Sequence, residues 1–220
     1  MNFYLVVYHS FIITMSVLDL EAGLQSLTIN KGTGAGGSNT TVQGKKFEDK
    51  TDSSCKLLEL GYEKRFLTKS KNPKKYDYLF KKFEDKTVIF TTQHDFKKYI
   101  KKEFKIELFR VPDEAYIILY NDGRKVIKIL EKKAQNGQGS VETKLWAAGL
   151  LRREYQLVLG SEFEVQYALC VNKYFQNKFE SKEKKYTTLN DMLNEINIDI
   201  LFGDAENYFE HPFHMFTCFI

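Results

Sequence analysis

Three polar side chains stand at alternate positions where an apolar run ends: Glu131, Lys133 and Gln135 follow the stretch Val126–Leu130. In an extended chain a period of two puts all three on one face. A run this apolar is expected of a central strand covered on both sides. A carboxylate or ammonium at the end of such a strand is costly unless it is paired or bound to a metal. A second β-rich run, Lys105–Tyr120, carries Asp113 and Glu114, and the Asn121-Asp122-Gly123 that separates the two runs signals a hairpin.

The turn decides which acid faces Glu131. With Asp122-Gly123 as a two-residue turn, Glu114 lies opposite. With a three-residue loop and Gly123 in the left-handed position, Asp113 does. Pro112 fits the first residue of a strand in either register. Both registers bring two carboxylates together beside a lysine. Carboxylate oxygens suit Mg²⁺, which takes one or two of them and keeps several waters. The cation lowers the pKa of a water and offsets charge on a phosphate under attack. The Lys133 ammonium would orient that water or stabilise the transition state. A surface ion pair between Glu131 and Lys133 is the competing account.

These residues need a sheet to hold them. Thr87–Thr92 reads as a strand and Gln93–Phe104 as a basic helix. Gly139 and Ser140 then open a helix running to about Leu157, with Ser140 as its N-cap. Glu162–Asn172 reads as another strand. Upstream, Ser16–Leu27 has helical spacing, and Lys31–Gly44 is a loop rich in Gly, Ser, Thr and Asn. Helical spacing returns over Lys45–Leu60, with Gly61 as the C-cap. Leu189–Ile198 adds a helical piece. The order predicts an α/β or α+β fold with a mixed central sheet flanked by helices. It divides the chain into an extension with a glycine-rich loop (1–44), a main domain (45–200) and an aromatic tail (201–220).

The bulk numbers agree with one sizeable core. Hydrophobic residues make up 43% of the 220 and charged residues 28%, which excludes a disordered tail and a membrane bundle. The three cysteines, Cys55, Cys170 and Cys218, form neither a disulfide framework nor a zinc motif, so a reducing compartment and no disulfide-linked partner are expected. Residues 1–14 are apolar, yet a bilayer span takes roughly 20 such residues. Asp19 and Glu21, with no A-x-A site, point away from a signal peptide. Translation starting at Met15 is the expectation, which a native peptide covering Asn2–Thr14 would contradict.

The net charge of +4 hides an uneven distribution. Lys64–Lys105 holds 14 Lys/Arg against 5 Asp/Glu, a local excess of +9. Phe66, Tyr76, Tyr78, Phe80, Phe96 and Tyr99 are threaded through it, so the segment reads as a track for a phosphate backbone or as a solvated helix face. Lys97, Lys98, Lys101 and Lys102 are its candidate contacts. Arg152 and Arg153 are further candidates, with helix solvation the simpler account. Gly32-x-Gly34-x-x-Gly37 lacks the GK(S/T) of a phosphate loop and no clear helix opens at its end. His211-x-x-His214 has no third ligand, and Cys170 reads as core.

Pro112-Asp113 followed by Glu131-Lys132-Lys133, in a hairpin with a helix and a strand after it, resembles the PD-(D/E)xK signature of the restriction-endonuclease-like superfamily. KGTGAGGSNTTVQGKKFE and EKKAQNGQGSVETKLW extend the likeness to nucleases of this kind encoded by large DNA viruses. The resemblance implies a restriction-endonuclease-like core and Mg²⁺-dependent hydrolysis of DNA, with Mn²⁺ able to substitute. It implies that Asp113, Glu131 and the main-chain carbonyl of Lys132 bind the metal, with Glu48 joining from the first helix. It gives Lys133 the attacking water, places Gln135 nearby and favours Asp113 over Glu114. Restriction-type cleavage of both strands implies a homodimer. The implied location is intracellular, in host cytoplasm or nucleus if viral. A repair, resolvase or RNA-processing enzyme of the same fold, or an inactive nucleic-acid-binding module, are the alternatives.

Overall fold

The computed structural model describes residues 37–67, 76–137 and 139–215. The expected helix Ser16–Leu27, most of the glycine-rich motif, Cys218 and the end of the aromatic tail lie outside them.

Seven strands form one mixed sheet in sequential order. Strands β1 (Glu63–Arg65), β2 (Tyr78–Lys82), β3 (Lys86–Thr92), β4 (Glu114–Tyr120) and β5 (Lys125–Lys133) run as an antiparallel meander. Strands β6 (Phe163–Val171) and β7 (Ile198–Phe202) then continue parallel to β5. Parallel neighbours need long crossovers. Helices α4 (Val141–Trp146) and α5 (Ala148–Leu159) supply the first, and α6 (Lys173–Glu180) and α7 (Lys184–Glu195) the second. The chain is therefore α/β, a mixed sheet flanked by helices.

Alternation sorts the core into two layers. Ile127, Ile129, Ala115, Ile117 and Tyr167 face one side, where they meet Phe96 of α3 (Gln93–Phe104), Tyr155 of α5 and Leu189 of α7. Val126, Leu130, Tyr116 and Cys170 face the other. There they meet Phe47 of α1 (Gly37–Lys50), Leu57 of α2 (Ser54–Glu59), Tyr208 of a 3₁₀ turn (Tyr208–Glu210) and Phe213 of α8 (Pro212–Met215).

Four expectations change. The backbone is helical from Gly37, inside the stretch read as a loop and at the end of the glycine motif where no helix was expected. Lys45–Leu60 is broken at 51–53 into the ends of α1 and α2. Ser140 is in helical conformation and makes no side-chain cap hydrogen bond, and its helix breaks at Ala147 into α4 and α5. Residues 201–215 are no appendage: Leu201, Tyr208, Phe213 and His214 are buried. Propensity undervalues such segments because their helicity and burial come from packing on the sheet. Gly203 shows how close that packing is, since a Cβ there would lie 2.7 Å from Cys170 Sγ, Phe47 Cζ and Thr51 Cγ2.

Burial pushes the His214 imidazole down to about 3 from an ordinary 6.5, with the charges of His211, Lys128 and Lys132 adding to it. The unfolded chain then takes up a proton over a range in which the folded chain does not. This stability is fully present above pH 6.5 and is lost as pH falls toward about 3. The thermal midpoint of the wild type should therefore fall more steeply below pH 6.5 than that of His214→Gln, and equal slopes would refute this.

Candidate active site at the β4–β5 end

The hairpin fixes the site. Tyr120 N–H donates to Arg124 O at 2.9 Å and Gly123 N–H to Tyr120 O at 3.1 Å. Gly123 takes φ +92°, so the loop is the three-residue kind with glycine left-handed. Glu114 pairs with Leu130. One step further, Asp113 comes opposite Glu131, and its Oδ2 accepts the Lys132 N–H at 2.6 Å.

Alternation then separates two acid–lysine groups across the sheet. On the α1/α2 side, the buried Lys132 ammonium donates to Glu114 Oε1 at 2.6 Å and to Glu48 O at 3.2 Å. Ser53 closes this group, donating to Glu114 from its N–H at 3.0 Å and its hydroxyl at 2.7 Å. Burial pushes the Glu114 carboxyl up, against the opposing pull of Lys132 and Ser53. Glu114 is thus a structural acid.

On the α3/α5 side, Lys133 Nζ lies 2.7 Å from Glu131 Oε2, 3.1 Å from the Lys132 carbonyl and 3.6 Å from Asp113 Oδ2. Burial works against the ammonium, but the charges of Glu131 and Asp113 outweigh it and hold Lys133 above the usual lysine range. Glu131 is pushed up by burial, an effect that Lys133 opposes and Asp113 reinforces. Under them lie Tyr155 and Tyr167, rings 6.5 Å apart. Burial first and then the Glu131 charge raise both phenols. Their hydroxyls are buried and have no protein partner among the described residues, so a water or ligand is needed to satisfy them.

Glu48 reaches Asp113 from α1: burial, then the Asp113 charge, raises its carboxyl. Both line a cleft of about 400 Å³ together with Asp49, Asp52, Asp77, Asp95 and Lys132. Asp113 is the wall shared between this cleft and the Lys133 group, since Glu131 and Lys133 do not line it. Among the described residues no three His, Cys, Asp or Glu side chains gather in a metal-holding arrangement. The donor set beside Lys133 is two carboxylates and one carbonyl, which fits Mg²⁺ with its waters rather than a closed protein cage.

The other candidates divide. Gln135 is not directed at the carboxylates: its amide donates to Gly137 O and accepts the Val141 N–H at 3.1 Å, bracing the loop before α4. Arg152 donates to the carbonyls of Val165 and Ile196, which ties α5 to β6 and to the end of α7. Arg153 is exposed on α5. Lys98, Lys101 and Lys102 are exposed along α3, with Lys97 half-buried. Lys98 pairs with Asp95 at 2.8 Å and Lys101 with Glu107 at 3.2 Å. Phe96 and Tyr99 are buried, so they cannot serve the phosphate track expected of them. Cys170 is buried core, and Tyr116 Oη lies 3.4 Å from His214 Nδ1. No helix among the described residues is long and apolar enough to cross a membrane, and Cys55 and Cys170 are free thiols.

Sequence reasoning missed Ser53, Asn172, Tyr155 and Tyr167. Asn172 ties β6 to the end of β5, donating to Gln135 O at 3.0 Å and accepting from Gln135 N–H at 3.3 Å. The Glu114–Lys132 pair was legible from alternation once the register was chosen. Asn172, Tyr155 and Tyr167 depend on β6 and α5, and Ser53 on the α1–α2 connection, whose placement no local pattern fixes. Compared with family models, curated proteins and solved structures, the chain matches none of them.

Breaking the buried pair strands a charge. Lys132→Met should lower unfolding free energy in urea by about 3–5 kcal/mol, and a loss below about 1 kcal/mol, the scale of an exposed pair, would show that Glu114 is not held as described.

Proposed function

We propose that this chain is a Mg²⁺-dependent nuclease of the PD-(D/E)xK kind that hydrolyses phosphodiester bonds in DNA. One observation carries the reading. The Lys133 ammonium sits among Asp113 Oδ2, Glu131 Oε2 and the Lys132 carbonyl, which together form a cradle of three oxygens for a cation. These are the atoms that the PD…ExK pattern assigns to a metal. An ammonium there marks where the protein concentrates negative potential.

In this reading Asp113, Glu131 and the Lys132 carbonyl hold the cation, and Glu48 contributes from the cleft side. When bound, Mg²⁺ supplies charge neutralisation at the phosphate and a more acidic water. Lys133 would offer its N–H donors to the attacking water and a phosphate oxygen. The Asp113 carboxylate stays oriented by the Lys132 N–H. Lys97, Lys98, Lys101, Lys102 and Arg153 offer phosphate contacts outside the cleft, whose acidic wall repels a phosphate until cations are bound. Cutting both strands of a duplex at one position calls for two copies of the chain. A restriction-like enzyme is the leading form of the proposal, and a repair or resolvase enzyme is the other.

Wild type with Mg²⁺ should cleave supercoiled plasmid, and EDTA should abolish cleavage. Lys133→Ala should be about 100-fold slower or worse. Discrete fragments identify a sequence-specific enzyme and a smear a degradative or repair enzyme. Salt-sensitive binding with no cleavage of any nucleic acid would overturn the proposal in favour of a binding module.

A further inference from the structure

Among the described residues most aromatics are buried or half-buried, and Phe109 is the clearest exception. It is 75% exposed, against 40% for Phe66 and 37% for Trp146, the next most exposed aromatics among the described residues. The connector 105–113 joins α3 to β4, and its alternate residues are anchored. Leu108 is buried in the core. Arg110 Nε donates to both carboxylate oxygens of Glu154 on α5, at 3.0 and 2.9 Å. The Pro112 carbonyl accepts the Gln93 N–H at 3.0 Å. Between buried Leu108 and the Arg110–Glu154 ion pair at the surface, the phenyl ring stands in water. A singly exposed ring is not by itself a site, so its neighbours decide what it can do.

Two neighbours say what it meets. Asp113 is four residues away, at most about 13–14 Å along an extended chain. A groove along α3, lined by Lys97, Lys98, Lys101 and Glu107, shares Thr92, Gln93 and Asp95 with the acidic cleft beside Asp113. Glu107 brings that groove to within two residues of Phe109. Ammonium groups along a groove suit phosphates, and an exposed ring two residues along the chain from its Glu107 suits the face of a base.

We infer that Phe109 is a stacking platform for an unpaired nucleobase a few nucleotides from the phosphate that is cut. This rests on the nuclease reading and narrows it. A base inside an intact duplex has both faces covered, so the ring favours single strands, ends, bubbles or branched junctions over continuous duplex. Leu150 and Leu157 are also exposed on α5, the helix that holds Arg110, so a protein partner spanning Phe109 and α5 is the occupant to be tested against.

The test is binding of the full chain to a fluorescent oligonucleotide, by anisotropy with Ca²⁺ in place of Mg²⁺ so that the acidic cleft is neutralised. It compares single strand, duplex and duplex with an internal bubble, with sedimentation in parallel. The side chain is exposed, so Phe109 variants keep the fold, which thermal unfolding checks. Phe109→Ala should bind single strand and bubble roughly 5- to 150-fold more weakly, the loss expected for one stacked base, with duplex binding little changed. Phe109→Trp should restore binding and Phe109→Leu should not. Equal binding by Phe109→Ala overturns the inference, as does equal rescue by leucine. A change of oligomeric state with base-independent binding assigns the ring to a protein interface and also overturns it. If the wild type binds no nucleic acid at all, the nuclease reading fails with it, whereas binding unaffected by Phe109 removes only the stacking platform.

Discussion

Two lysines adjacent in sequence are neutralised on opposite faces of one strand, and the rest of the molecule is arranged around that fact. The pleat of β5 sends Lys132 toward α1 and Lys133 toward α5. The hairpin register supplies each with a carboxylate from the chain opposite: Glu114 for Lys132, and Asp113, with Glu131, for Lys133. The first pair is closed by Ser53 and fully buried, and closed pairs of this kind hold structure. The second keeps partial access to solvent and has a carbonyl as its third oxygen. A slip of one residue would exchange the two acids and destroy both groups. The left-handed Gly123 is therefore as much a part of the site as the charged residues.

Much of this is written locally. Period-two spacing reveals the shared face of Glu131 and Lys133, and Asn121-Asp122-Gly123 reveals the hairpin, while leaving two registers open. What closes the choice is tertiary: Asn121 donates from its side chain to Glu84 O at 2.7 Å and from its N–H to Asp85 O at 2.9 Å, tying the loop to the preceding β-turn. Gln135 shares the periodicity of Glu131 and Lys133, but the strand has ended at Lys133 and the chain turns, so its amide serves the loop. Arg152 falls on the inner side of α5, which composition cannot reveal. Two aromatics of the basic stretch, Phe96 and Tyr99, are lost to a phosphate track because they are buried. Helical periodicity turns Phe96 and Tyr99 inward while Lys98, Lys101 and Lys102 stay out, and Phe109, beyond the segment of highest charge, is the most exposed ring among the described residues.

Charge is divided in space as it is in sequence. Carboxylates gather in the cleft beside Asp113, and ammonium groups line the neighbouring groove on α3. A phosphate backbone is drawn to the second and repelled by the first unless cations intervene. That layout supports the proposed divalent ion, as does the three-oxygen arrangement around Lys133. The 3₁₀ turn, α8 and Gly203 seat α1 on the sheet, and α1 carries Glu48, so the far end of the chain contributes to the site by packing alone.

The central claim is that the oxygens around Lys133 form a divalent-cation site. The direct measurement is calorimetric titration of Mg²⁺ and Mn²⁺ into wild type, Lys133→Met and Asp113→Asn. Removing the competing ammonium should tighten binding, and removing the Asp113 charge should weaken it by tenfold or more, about 1.4 kcal/mol. Binding that is unchanged by both substitutions, or absent in Lys133→Met, would contradict the account.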